Sequence, residues 1–310
     1  MGFGSAQAGR VVMGGRAIEV ARVRMAAGAR AIGETKMQLY PDDLWKRDPT
    51  RHPSFPIPGH RDVPLWRYLS GTRFRWLVEN QRLYMPRIEQ LTSNDAREAT
   101  MPDAQAEFWK ELIEKSETPQ RREQNQNNFN RLLEYVDRFR ASWFVSCWHQ
   151  NPIENFAFWR IYGRDETACP SCERVTVTSR ESVAITTTFD KLESLLPAHI
   201  EVGAVRYVNY QTEGINRLNM FDYVMHKRDF YQYECEVRAV ATTTDTWMSG
   251  AVRDHILANQ VQGSYAPPVN VKAMVGEVVI HPEAKQSFRE EIAAVCKKHA
   301  LPEPRLSGLA

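Results

Sequence analysis

Two glutamates, Glu234 and Glu236, stand two residues apart where an alternating apolar segment begins, and Arg238 follows at the same spacing. Side chains alternate between the two faces of a β-strand, so this spacing predicts that all three share one face. Adjacent like charges raise the free energy unless a cation, a ligand or a reaction uses them. The pattern indicates a functional site, although an exposed edge strand with solvated charges accounts for it equally well.

Paired carboxylates can also chelate a divalent metal for phosphodiester cleavage. The residues available for such a nuclease site are Asp95, Glu234, Glu236 and Lys227. Charge weighs against it. The formal net charge is +2, but residues 1–36 carry six basic and two acidic residues, which leaves 34 basic and 36 acidic residues in the rest. A slightly acidic body disfavours binding to nucleic-acid backbones.

Composition indicates a globular protein of 310 residues, with 43% hydrophobic and 25% charged residues. No apolar run approaches the roughly 18 residues that a membrane span needs. Five cysteines in this length argue against a disulfide framework, so we expect a cytoplasmic protein that does not enter a membrane. Cys169 and Cys172 have the spacing of half a zinc site, but the other cysteines supply no second pair. Zinc is therefore not expected.

The pattern of elements predicts an α+β fold with mostly antiparallel short sheets and flanking helices. Residues 1–36 are rich in Ala, Gly and Arg, and we expect a disordered or mis-started extension before a single domain over 37–310. Apolar periodicity predicts helices over 103–116, 121–140 and 216–227, and a further helix opened by Asn151. Predicted strands include 63–69, 82–86, 143–148, 202–210, 233–240 and 274–280. A dinucleotide-binding Rossmann domain is excluded because no G-x-G-x-x-G motif follows a strand.

Six short motifs occur in an order that resembles the bacterial family catalogued as domain of unknown function 2971. They are Leu65-Trp66-Arg67-Tyr68, Arg82-Leu83-Tyr84-Met85, Val145-Ser146-Cys147-Trp148, Phe158-Trp159-Arg160-Ile161-Tyr162, Ser182-Val183-Ala184-Ile185 and Tyr233-Glu234-Cys235-Glu236-Val237-Arg238. The resemblance spans about residues 63 to 300 and makes residues 165–180 a loop insertion. The family name implies no activity.

A more distant resemblance is to the ADP-ribosyltransferase superfamily, which presents an arginine, a serine and a Glu-x-Glu pair on successive strands. Here these are Arg67, Ser146 and Glu234 with Glu236. The resemblance implies NAD as substrate and a protein or nucleotide as acceptor. A carboxylate would stabilise the oxocarbenium-like ribose that forms when nicotinamide leaves. The implied catalytic residues are Glu236, Glu234 and Ser146, and the implied NAD-binding residues are Arg67, Trp159, Tyr162 and Arg238.

A non-catalytic sensor or interaction module is the alternative function. In it, aromatic residues including Trp159 and Tyr162 would form a pocket for a ligand or partner, although aromatic side chains at helical spacing are more often core. Two geometric expectations follow. Glu234 and Glu236 should lie on a strand beside Ser146, and Trp159 and Tyr162 should both point inward from one helix face.

Overall fold

The fold is described from a computed structural model, which describes residues 52–93, 95–163, 165–168, 175–178, 180–215, 219–244 and 250–309. The predicted N-terminal extension, residues 1–36, lies outside the described residues. The helices are α1 Gly71–Asn80, α2 Asp103–Glu114, α3 Pro119–Arg140, α4 Phe156–Tyr162, α5 Phe189–Leu195, α6 Met220–Val224, α7 Gly250–Ala258, α8 Val271–Met274 and α9 Gln286–Lys298. Among the described residues, 3-10 helices span Ile88–Ser93 and Asp229–Glu234.

The strands are β1 Pro64–Ser70, β2 Trp143–Gln150, β3 Asp165–Ala168, β4 Val175–Thr178, β5 Ser182–Thr188, β6 Glu201–Ala204, β7 Arg206–Val208, β8 His226–Arg228, β9 Glu236–Thr242, β10 Gln260–Val261, β11 Ser264–Tyr265, β12 Val278–Ile280 and β13 Arg305–Leu306. Seven of them form one sheet in the order β13-β12-β5-β1-β2-β9-β6. Among the described strand pairs of this sheet, only β12–β13 is parallel. The predicted α+β class with mostly antiparallel pairing is confirmed.

Helices cover both faces of the sheet. On one face, Leu65, Trp148 and Val237 belong to a core that includes side chains of α1, α5, α8 and α9. On the other face, Trp143 and Val240 pack with α2, α3 and α6, and α4 packs over the β1 end of the same face. The central strands β1, β2 and β9 are thus buried on both faces, which explains their nearly continuous apolar sequence.

Side-chain caps begin several of these helices. Thr118 accepts a hydrogen bond from the backbone N–H of Arg121, and Pro119 occupies the first turn of α3. The predicted start of α4 at Asn151 is wrong, because Asn155 caps the helix instead, accepting from the Ala157 N–H. The Asn151 side chain accepts from Ile153 in a local turn.

Tertiary pairing overrides two further predictions. The segment 202–210 forms two strands, β6 and β7. The predicted helix over 216–227 begins outside the described residues, at 216–218, and its described part is the short helix α6 followed by β8. Strand β8 pairs in parallel with β7. Hydrogen bonds to a distant segment therefore hold these residues in a strand, although their apolar periodicity favours a helix. Within the predicted loop insertion 165–180, β3 and β4 pair antiparallel. No described helix is long and apolar enough to cross a membrane.

Candidate functional site

The glutamate pair lies at the junction of two elements, and this corrects the expectation that both residues lie on one strand. Glu234 ends the 3-10 helix, Cys235 follows with a φ of 42° in the left-handed region, and β9 begins at Glu236. The Cys235 N–H donates to the Gln232 carbonyl and closes the turn. The left-handed residue interrupts the two-residue alternation, so Glu234 reaches its position from a turn.

The register of β2 against β9 separates the predicted site residues onto two faces. Glu236 lies opposite His149, and Arg238 opposite Cys147, whereas Ser146 lies opposite Ala239. Directly opposed residues of an antiparallel pair share a face. Ser146 therefore points away from Glu236, and its hydroxyl accepts a hydrogen bond from the Trp148 indole at 3.1 Å. The expectation that the glutamates lie beside the Ser146 side chain is wrong.

Arg67 lies on the Ser146 face as well. Its neighbour Trp66 pairs with His149, which leaves Arg67 on the opposite side of β1. The guanidinium lies 5.6 Å from the Trp148 ring centroid and donates to the Tyr84 carbonyl at 3.0 Å. Burial lowers the pKa of Arg67 to about 10. The sheet thus stands between Arg67 and the glutamates, and the structure does not bring them together.

The glutamate pair belongs to a group of five buried charged side chains, which we call the charge network: Glu98, Lys227, Glu234, Glu236 and Arg238. The Arg238 guanidinium donates two hydrogen bonds to Glu236, from Nε to Oε1 at 2.9 Å and from Nη2 to Oε2 at 3.0 Å. Its Nη2 also donates to Glu98 Oε1 at 2.8 Å. Its Nη1 donates to the Val224 carbonyl at 2.5 Å. Bidentate Arg–carboxylate contacts are among the strongest hydrogen-bonded ion pairs.

Lys227 joins the three carboxylates from β8. Its Nζ lies 2.6 Å from Glu234 Oε2, 3.4 Å from Glu236 Oε2 and 3.6 Å from Glu98 Oε2. The remaining oxygen, Glu234 Oε1, accepts from the Tyr162 hydroxyl at 2.8 Å. Each of the six carboxylate oxygens therefore has a cation or a hydroxyl beside it. Glu234, Glu236 and Arg238 are 3%, 2% and 0% exposed.

The network pushes the pKa values of its two central carboxyls in opposite directions. Burial alone would raise the pKa of Glu236, but Arg238 and Lys227 lower it below the usual range. Burial and the neighbouring Glu236 raise the pKa of Glu234 despite Lys227. For Lys227, burial works against the charged form, yet Glu236 and Glu98 raise its pKa. The raised pKa values of Lys227 and Arg238 keep both cations charged, and of the pair Glu234 and Glu236 it is Glu234 that is protonated more easily.

An aromatic layer from α4 covers one side of the network. Trp159 is 0% exposed and packs edge-on to Tyr68 and His281, with centroid separations of 5.0 and 5.3 Å. Tyr162 lies 4.8 Å from the His149 ring and bonds to Glu234. Both side chains point inward, as the helical spacing predicts. Trp159 packs in a core cluster, while Tyr162 contacts the network directly.

Sequence reasoning missed Glu98 and His149. Glu98 reaches Arg238 across 140 residues of sequence and lies in a turn region without periodicity, so no local signal could identify it. His149 Nδ1 lies 3.1 Å from the Glu234 carbonyl oxygen, and burial lowers its pKa to about 4. The register that places it opposite Glu236 depends on long-range pairing, which the sequence alone does not specify.

The arrangement does not offer a metal site among the residues that the structure describes, since these contain no group of three suitable ligands. Asp95, which the nuclease interpretation requires, forms an ion pair with Arg228 instead. Cys169 and Cys172 lie outside the described residues. A cavity of about 250 Å³ lined by Ile280, Arg289 and Leu306 lies near β12 and β13, at the far end of the sheet from β9.

Comparison with known proteins gives no relative. No family model, no curated protein and no solved structure matches the chain. The two resemblances stated from the sequence motifs, and the roles that they imply, therefore stay predictions.

Proposed function

We propose that this protein is a non-catalytic sensor or interaction module, in which the charge network holds the 3-10 helix Asp229–Glu234 rigidly at the surface for recognition. One observation carries the proposal: all six carboxylate oxygens of Glu98, Glu234 and Glu236 are engaged by partners within the protein. Breaking a buried ion pair typically costs about 3–5 kcal/mol. Carboxylates held in this way serve to position the backbone that carries them.

Catalysis would require one of these carboxylates to reach a substrate atom. A general base or a stabilising anion must come within hydrogen-bond distance of the reacting group. Glu236 is 2% exposed and bound twice by Arg238, so a substrate would have to displace a guanidinium from a buried partner. The guanidinium of Arg238 already compensates the negative charge of Glu236, so this carboxylate would stabilise a cationic transition state only weakly.

An ADP-ribosyltransferase-like enzyme that cleaves NAD is the second candidate. The observation in its favour is the pair Glu234 and Glu236, whose pKa values are shifted in opposite directions. Adjacent carboxyls with divergent pKa values are a common arrangement in acid–base and glycosyl chemistry. Tyr162 and Arg238 would then contact NAD, and Glu236 would stabilise the ribosyl cation. Arg67 and Ser146 would need to act from the other face of the sheet, which weakens this candidate.

Nicotinamide release from NAD separates the two candidates. We expect the purified chain to release no more nicotinamide than Glu236→Gln, with or without magnesium or manganese. Glu236→Gln should nevertheless lower the free energy of unfolding by about 3–5 kcal/mol, because Arg238 loses its bidentate partner. Glu107→Gln, at an exposed helix pair with Lys110, is the matched control and should leave the urea midpoint unchanged.

The opposite outcome is equally specific. Turnover that falls on the order of a hundredfold in Glu236→Gln, or about 2.7 kcal/mol of barrier, would overturn the proposal in favour of the transferase. If Glu236→Gln does not fold, nicotinamide release by the wild-type chain is compared with release in a protein-free blank, and release above the blank overturns the proposal. Under the transferase hypothesis, Glu234→Gln changes acceptor transfer and spares NAD hydrolysis.

A further inference from the structure

Three aromatic side chains on the 3-10 helix form a continuous surface, which we call the ring patch: Phe230, Tyr231 and Tyr233. The ring centroids of Phe230 and Tyr231 are 5.8 Å apart, and those of Tyr231 and Tyr233 are 6.5 Å apart. Phe230 is 65% exposed and Tyr233 is 52% exposed. Large rings at this exposure within one six-residue helix are unusual unless a partner covers them.

Contacts of Glu234 and Tyr233 with the rest of the protein hold the ring patch in place. Glu234, the last residue of the helix, is held by Lys227 and Tyr162, and Tyr233 packs 6.2 Å from the Phe158 ring. The charge network therefore fixes the backbone that presents the rings. A pre-organised surface loses less conformational entropy when it binds.

Negative charge is in excess beneath and beside the rings. The charge network contains three carboxylates and two cations. The neighbouring pair of Asp95 with Arg228 is neutral. Asp229, on the same helix as the rings, is partly exposed and forms no ion pair with any described residue. The charge network, the Asp95–Arg228 pair and Asp229 together carry a formal excess of two negative charges.

The rings already accept cations from the chain itself. Lys227 Nζ lies 4.7 Å from the Tyr231 centroid, and the Arg228 guanidinium lies 4.8 Å from Phe230 and 5.5 Å from Tyr231. An aromatic face attracts a cation within about 6 Å of its centroid. Phe230 and Tyr233 still expose half or more of their surface, so further ring area is open to an incoming cation.

We propose that the ring patch binds an arginine- or lysine-bearing segment of a partner protein. This rests on the proposed function as an interaction module and names the chemistry of its partner. Cationic side chains of this segment lie on the exposed surfaces of Phe230 and of Tyr233, and Asp229, next to Phe230, supplies an opposing carboxylate. A phosphate-bearing ligand is disfavoured, because Arg228 is already paired with Asp95 and the local charge is negative.

A pair of peptides tests the charge requirement on the full chain. One is a short blocked Gly/Ser peptide with three arginines, and the other carries citrulline, which is neutral and nearly the same shape, in place of each arginine. Calorimetric titration at about 50 mM salt, where surface charges are weakly screened, should give at least tenfold tighter binding of the arginine peptide. Raising the salt should narrow this difference.

Variants locate the binding to the ring patch. Phe230→Ala and Tyr233→Ala should each weaken the arginine peptide about three- to fivefold, as expected for loss of an exposed cation–π contact. Asp229→Asn should weaken it by a similar factor. Tyr135→Ala is the matched control, because Tyr135 is 51% exposed on α3 and contacts no residue of the patch. It should bind the peptide like the wild type.

The peptide experiment tests the cation proposal, and the NAD experiment tests the function as an interaction module, so either one can fail without the other. Equal binding of the arginine and citrulline peptides, or no binding of either, overturns the cation proposal and leaves the NAD experiment to decide the function. Turnover of NAD overturns the function independently of peptide binding. If Phe230→Ala and Tyr233→Ala instead convert a dimer to a monomer in sedimentation, without peptide binding, the patch faces a second copy and the proposal is wrong.

Discussion

His149 is a buried imidazole whose pKa is influenced by one carboxylate, Glu236, and two cations, Lys227 and Arg67. It lies opposite Glu236 in the sheet, and its ring centroid is 4.2 Å from that of Phe158, with the two rings tilted by 33°. Burial is the largest influence on its pKa, and Lys227 and Arg67 oppose protonation further, while Glu236 favours it. The net effect lowers the pKa from 6.5 to about 4. The side chain is therefore neutral in the folded protein throughout the pH range in which an unfolded histidine becomes charged.

This difference predicts a loss of stability on mild acidification. As pH falls through 6.5, the unfolded chain binds a proton at His149 and the folded chain does not, so the free energy of unfolding decreases. Between pH 7 and pH 5 the contribution of His149 amounts to about 2 kcal/mol. His149→Asn, whose amide can replace the Nδ1 contact, should lose that part of the pH dependence in urea titrations at both pH values.

Glu234 acts in the opposite sense. Its raised pKa means that the folded state takes up a proton before the unfolded state does, which favours folding as pH falls. Because Glu234 is present in both proteins, the difference between wild type and His149→Asn isolates the histidine. An identical pH dependence in the two proteins would show that His149 has the same pKa in the folded and unfolded states, and would contradict the lowered pKa.

Helix α4 shows how one short element divides its side chains between core and surface. Trp159 is 0% exposed, whereas Phe156, three residues earlier, is 44% exposed with Arg160 over its ring. Trp159→Ala should lower the free energy of unfolding by about 3–5 kcal/mol, as expected for truncating a buried aromatic residue. Phe156→Ala should cost much less in the same urea experiment. A loss below about 1 kcal/mol at Trp159 would indicate an exposed ring with a binding role.

The sequence predicted correctly those helices and strands whose apolar residues follow a regular local pattern. The apolar spacing over 121–140 agrees with α3, and the bulky run 143–148 agrees with β2. The common face of Glu236 and Arg238 follows from the two-residue period of β9. Strand β8 could not be predicted, because His226–Arg228 is held by non-local pairing with β7.

The candidate site was predictable only in part, because non-local strand pairing also decides which of its residues meet. Glu236, Arg238 and Tyr162 were identified and do meet, but the turn at Cys235 gave no signal that Glu234 leaves the strand. Whether Ser146 lies on the near or the far face depends on a one-residue register, and a shift of one residue reverses every side chain. Such registers are set by the whole sheet.

At the scale of the molecule, the segment before β1 packs against the outer side of strand β6. The Ala204 N–H donates to the Pro56 carbonyl at 2.8 Å, and a Cβ atom on Gly203 would lie only 2.6 Å from the Phe55 Cα. Phe55 itself is 1% exposed in the core of the second face. Glycine at 203 is therefore required by the close approach of two backbones.

Gly203→Ala should displace this segment and destabilise the fold. We expect a loss of about 1–3 kcal/mol in the free energy of unfolding, as is usual for overpacking against backbone atoms. Gly59→Ala is the matched control, because a Cβ there meets nothing within 4 Å, and it should leave the urea midpoint near that of the wild type. Equal midpoints for the two variants would contradict the close packing of Phe55 on β6.

The covering of β6 also bears on how the protein behaves at high concentration. An open sheet edge presents unpaired N–H and C=O groups that template pairing with another chain and lead to fibrous aggregates. At the β6 edge, the Pro56 carbonyl accepts from the Ala204 N–H and Phe55 packs against Gly203. At the other end of the sheet, β13 has only two residues, and its Arg305 is paired with Glu154 and Glu277. A short, charged strand at one end and a covering segment at the other protect the sheet against polymerisation, so displacement of the Pro56 segment exposes a growth point for fibrils.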